Sequence, residues 1–115
     1  MTHVEADFNG GGKTDHARML FHKRNNNVGV FVFLGRVNGR QGAFKLEEHQ
    51  PERGGFMLGL VRKGCYKSER QVACLKYPGF VYLETEYGFG NLYWFESGSW
   101  RHAEFYQGEF GDLLH

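Results

Sequence analysis

Nine residues near the N-terminus, Asp7-Phe8-Asn9-Gly10-Gly11-Gly12-Lys13-Thr14-Asp15, carry the most chemical information in the chain. Side-chain oxygens stand at the first, third and ninth positions, and Lys13 offers a backbone carbonyl at the seventh. Oxygen donors at that spacing let one tight loop wrap a hard cation such as Ca²⁺, with Gly12 at the sixth position for the sharp turn. An EF-hand loop needs a bidentate Glu at its twelfth position, where this chain has Arg18, so the loop is of another kind. A plainer chemistry is open to the same residues. Asp7 and Asn9 can accept hydrogen bonds from nearby backbone N–H groups as Asx-turns, and Asp15 can cap the start of the next element.

The six histidines, His3, His16, His22, His49, His102 and His115, form no HExxH pair and have no Cys-x-x-Cys beside them. His102 and Glu104 lie two apart in a predicted strand and so share a face, but a solvated polar face explains them as well. His49 beside Glu47 and Glu48 is equally unspecific. Cys65 and Cys74 could close a short loop worth about 2–3 kcal/mol if their strands pair. With no signal peptide in Met1 to Ala6, the residues favour two reduced thiols. A nucleophilic Cys65 would need a base that the sequence does not supply. Arg62 to Arg70 is the most basic stretch and reads as a solvated hairpin.

These side chains must be positioned by strands. Val28-Gly29-Val30-Phe31-Val32-Phe33-Leu34 is β-branched and aromatic on both faces and reads as a central strand. Asn38-Gly39 supplies turn chemistry, and Ala43 to Glu47 alternates as its hairpin partner. Ala17 to Phe21 reads as a strand, with a short helix capped by Thr14 or Asp15 as the competing assignment. Phe56 to Val61, Val72 to Leu75 and Phe80 to Glu84 come next. Leu92 to Glu96 and Trp100 to Tyr106, joined by Ser97-Gly98-Ser99, give a strong hairpin signal. Seven or eight short strands predict an all-β, mainly antiparallel fold: a sandwich, barrel or strongly bent sheet with at most one short helix. The predicted organisation is one domain over 1–115, with a loop region at 1–15, the β core at 16–106 and a tail at 107–115.

The N-terminal loop resembles the calcium loop of FG-GAP/VCBS repeats, which reads D-x-[DN]-x-D-G-x-x-D before a strand. Asp7, Asn9, Gly12 and Asp15 match it, while Gly11 stands where the family has Asp. That departure removes one ligand and one negative charge and should weaken Ca²⁺ binding. The later chain also resembles small uncharacterised bacterial proteins with one such loop, through Leu46-Glu47-Glu48, Gly64-Cys65-Tyr66, Pro78-Gly79 and Tyr93-Trp94 with Gly98 and Trp100. The resemblance implies a weak or vestigial Ca²⁺ site at Asp7, Asn9, Lys13 and Asp15. It implies no activity.

A length of 115 residues leaves room for one ordinary core. At 41% hydrophobic and 23% charged residues, the composition is that of a globular rather than a disordered chain. A net charge of +1 argues against bulk attraction to nucleic acid or an anionic membrane. No apolar run approaches the roughly 20 residues of a membrane-spanning helix. As written, the chain is expected in the cytoplasm, or exported if a leader precedes it.

Aromatic residues make up 17% of the chain and concentrate in the last hairpin. Alternation sends one set to the core, and the other set, drawn from Tyr93, Trp94, Trp100 and Tyr106, is expected to meet a ligand or a partner. The expected function is a non-enzymatic binding or interaction module, with a protein partner or a second copy of itself. A small-ligand or carbohydrate binder using the aromatic hairpin, and a small hydrolase using His102 and Glu104 or Cys65, are the alternatives.

Overall fold

The computed structural model describes residues 2–35, 42–50, 55–68, 70–85 and 88–106. Ten strands account for the described core: β1 (His3–Ala6), β2 (Asp15–Phe21), β3 (Val28–Phe33), β4 (Ala43–His49), β5 (Phe56–Val61), β6 (Gly64–Lys67), β7 (Val72–Leu75), β8 (Gly79–Glu84), β9 (Phe89–Glu96) and β10 (Ser99–Tyr106). The first sheet runs β1-β2-β3-β4, the second β10-β9-β8-β5, and β6-β7 form a separate ribbon. Every pairing is antiparallel, so the fold is all-β as its alternating pattern predicts. The helix alternative at Ala17 to Phe21 is replaced by a strand.

The two four-stranded sheets pack face to face. Val4, Ala17, Met19, Val28, Val30 and Val32 of the first meet Leu58, Phe80, Tyr82 and Tyr93 of the second. The period-2 side-chain rule turns alternate residues the other way. Val61, Val81, Leu92 and Phe105 therefore face away from the first sheet, and the ribbon covers them with Ala73 and Leu75. The architecture is thus a sandwich with a two-stranded third layer. The hairpin from β9 to β10 turns at Ser97 and Gly98, both at positive φ (50° and 83°), as a tight two-residue turn requires.

The sequence-based plan differs from the structure at three places. Residues His3–Ala6, expected in a loop region, form the edge strand β1, paired with β2 from His3↔Arg18 to Ala6↔Asp15. Only Val4 of the four is fully buried, too weak a period-2 signal to read in isolation. Cys65 and Cys74, expected as free thiols, face each other across β6-β7 and form a disulfide. Strand β4 continues past Glu47 to His49 and carries a bulge: Val30 pairs with Glu47 and Phe31 with Lys45, leaving Leu46 as the extra residue. The turn at Asn38-Gly39, Pro51 and the tail from Gln107 lie outside the described residues.

Candidate functional site

The bulge at Leu46 decides what β4 presents to the interior. Beyond it, Glu47 pairs with Val30 and His49 with Val28, two residues of the buried face of β3. A carboxylate and an imidazole are thereby turned toward the second sheet. Glu48 alternates outward, where the Asn27 amide at 3.2 Å and Lys45 at 3.5 Å hold its carboxyl below the usual range.

Inside, Glu47 gathers three donors. The Tyr93 hydroxyl and the Asn91 Nδ2 (3.3 Å) donate to Oε1, and His49 Nε2 contacts Oε2. Tyr93 and Asn91 come from β9, so this cluster joins the two sheets through polar bonds. The imidazole of His49 lies nearly parallel to Tyr82 (5.5 Å between ring centres, 15°) and to Phe56 (5.7 Å, 17°). The rings fix its plane while Glu47 fixes one nitrogen. Asn91 Oδ1 is buried without a hydrogen-bond partner among the described residues, and such a group costs free energy unless something donates to it.

These residues line a cleft of about 290 Å³ walled by Phe56, Tyr82, Phe89 and Tyr106, with Glu47, Asn91 and Glu104 as acceptors. Gly90 also lines it, and a Cβ there would collide with the Tyr82 carbonyl, so the backbones approach closely at this wall. The volume is near the lower limit for small-molecule sites.

Burial, followed by the hydrogen bond to Glu47, pushes the Tyr93 hydroxyl well above its ordinary value of about 10. The unfolded chain therefore releases this proton first. The stability conferred is complete below about pH 10 and falls as pH rises further, by up to about 1.4 kcal/mol per pH unit. Urea midpoints measured between about pH 9 and 11.5 are expected to fall steeply for the wild type. They should fall less for Tyr93→Phe, and equal slopes would refute this assignment.

No family model, curated protein or solved structure matches the chain. The functional reading consequently stands on the geometry of its own residues.

The residues singled out in the sequence are scattered. Tyr93 is buried between the sheets, whereas Trp94 packs on the opposite side with the ribbon-facing cluster. Trp100 sits edge-on to Phe80 (5.8 Å) and Phe95 (5.6 Å). Tyr106, 66% exposed, reaches the cleft rim. Of the four aromatic candidates, only Tyr106 is a cleft-lining residue, with Tyr93 behind it bonded to Glu47. His102 and Glu104 share a face without a hydrogen bond between them; His102 tilts against Tyr93 at 6.0 Å. Arg70 of the basic stretch donates to the Glu104 carbonyl (3.2 Å), a structural role.

In the N-terminal loop, Gly12 N donates to Asp7 Oδ2 (2.9 Å) and Gly11 N to Asn9 Oδ1 (3.0 Å). Asp15 is 1% exposed and accepts from Phe8 N (2.9 Å) and from Gly35 N (2.6 Å). Gly10 has φ +75° with the Tyr77 ring against it, which excludes a side chain there. Lys13 is exposed. A Ca²⁺ ion takes six to eight oxygens, and here Asp7 Oδ1 alone of the loop's carboxylate oxygens lacks a donor. The residues present fit a set of capped turns better than a calcium cage.

The cleft is not apparent from the sequence, although a signal exists. Glu47 and His49 stand two apart, the same spacing as His102 and Glu104. Their partners Asn91 and Tyr93 are 44 and 46 residues away, a distance that no local pattern spans.

Proposed function

We propose that the protein is a non-enzymatic binding module whose inter-sheet cleft takes a small, hydrogen-bond-donating ligand bearing a positive charge or a polyhydroxyl ring. The observation that carries this reading is the pairing of aromatic walls with two carboxylates, Glu47 and Glu104, and with the unpartnered Asn91 Oδ1. A ligand that donates to Asn91 and Glu104 and stacks on Tyr106 or Phe89 answers each feature. Two carboxylates favour a protonated amine, through charge-assisted hydrogen bonds and cation–π contact. A neutral sugar, which also donates and stacks, is the second class.

Binding without turnover agrees with how the polar groups are held. Glu47 already accepts from three donors, and His49 is fixed by Glu47 and its ring neighbours. Neither is poised as a free base.

The test is a calorimetric titration with a panel of small organic amines and a panel of mono- and disaccharides. Binding to one panel is expected. Glu104→Gln, an exposed change, should weaken an amine about tenfold or more, and Tyr106→Ala should weaken either class severalfold. If neither panel binds, or if binding ignores both substitutions, the cleft reading fails. The outer face of the first sheet, with Leu20 exposed, would then be the surface to examine for a protein partner or a second copy.

A further inference from the structure

A second polar cluster lies on the solvent side of the first sheet, away from the cleft. Alternation along β1 puts His3 and Glu5 on one face, and the register places His16 of β2 directly across from Glu5. The His3 and His16 rings lie nearly parallel, with centres 5.1 Å apart and planes at 10°. Three donor atoms converge: His3 Nε2 and His16 Nδ1 are 2.9 Å apart, and Glu5 Oε2 is 3.9 Å from the first and 3.4 Å from the second.

We propose that His3, Glu5 and His16 form a binding site for a divalent transition ion of the Zn²⁺ class. A triangle with those three sides has its circumcentre about 2.0 Å from each corner, and Zn–N and Zn–O bonds are about 2.0–2.2 Å long. An ion can therefore sit on or just outside the plane of the donors without rearrangement of the strands. The ligand set is two imidazoles and one carboxylate, suited to Zn²⁺, Co²⁺ or Ni²⁺ rather than Ca²⁺ or Mg²⁺. A hydrogen bond between the two rings uses one proton and leaves the carboxylate outside it; an ion at the centre engages all three groups.

The fourth position opens to solvent, because all three side chains are partly exposed, with Glu5 58% accessible. Three protein ligands with an open position is the arrangement that keeps a metal-bound water. Arg18, in register with His3, adds a positive charge nearby, so affinity must come from the direct bonds rather than from a field. Bound metal would join the edge strand β1 to β2 and hold the N-terminal strand in the sheet.

The test uses the full chain and Zn²⁺ alone, titrated by calorimetry at mildly alkaline pH, with Co²⁺ absorption as a second readout of coordination. One ion per chain is expected, with a Co²⁺ spectrum of a four-coordinate site. Removal of an outer-shell partner commonly costs 10–100-fold in affinity, so loss of a direct ligand in His3→Ala or His16→Ala should cost about 100-fold or more. Glu5→Gln should weaken binding by about tenfold or more, and His22→Ala should leave it unchanged. All four sites are partly or fully exposed, and circular dichroism would verify that each variant folds. Unchanged Zn²⁺ affinity in His16→Ala, or no binding by the wild type, would overturn the proposal.

Discussion

Asp15→Ala is expected to reduce the free energy of unfolding by about 3–5 kcal/mol, since each hydrogen bond to a charged group contributes about 1.5–3 kcal/mol. The carboxylate is buried and reaches two separate segments. One oxygen accepts from Phe8 N in the β1–β2 loop and the other from Gly35 N just past the end of β3. Alanine leaves both N–H groups without an acceptor at a site where water has little access. The substitution Asp15→Asn keeps the shape but offers one acceptor oxygen and presents an NH₂ group to a backbone donor, so it should recover less than half of the loss. Urea unfolding of the three proteins checks this. A loss under about 1 kcal/mol in Asp15→Ala would mean that the two bonds add little beyond what water supplies.

Phe8→Ala should cost a similar amount, about 3–5 kcal/mol. The ring is 0% exposed although it belongs to a loop, and it packs against Phe80 at 5.5 Å and Trp100 at 6.1 Å. It fills the space between the sheets, so its removal leaves a cavity as well as lost apolar contact. Phe8→Leu, which keeps much of the volume, should cost less than about 1.5–2 kcal/mol. Because Asp15 holds the backbone of this same residue, the double variant should lose less than the two single losses combined. Strict additivity in chemical denaturation would show that ring and carboxylate hold the loop independently.

These two residues also show how far the sequence can be read. Phe8 stands between Asp7 and Asn9, and loop chemistry on either side hides a core side chain. Asp15 is visible as a hard donor, but that type serves a metal and a pair of backbone amides equally well. The arrival of Gly35 N, 20 residues on, gives it a backbone partner that no local pattern shows. Strands are easier. Val28, Val30 and Val32 alternate as the inner face of β3, and Trp100 to Tyr106 pairs with β9 across Ser97-Gly98.

What stays hidden is mostly pairing between distant strands. Cys65 and Cys74 are opposite one another because β6 and β7 are in register, a pairing that the residues around each cysteine do not announce. Glu47 and His49 need both a bulge and a partner strand more than 40 residues away. The His3–Glu5–His16 cluster needs β1 to be a strand, and four residues with one buried side chain carry little periodicity.

Leu46 makes β4 a place where the chain can vary in length at little functional cost. Pairing is regular on both sides of it, with Lys45 opposite Phe31 and Glu47 opposite Val30. A sequence lacking that one codon could run Lys45 and Glu47 as successive rungs, and Glu47 and His49 would still enter between the sheets. A chain that kept Leu46 but zipped through without the bulge would do the reverse, sending Glu47 and His49 to solvent and drawing Glu48 inward. Deletion is therefore buffered at this point, whereas slippage is not, and homologues that differ by one residue here would be expected to share the same cleft chemistry.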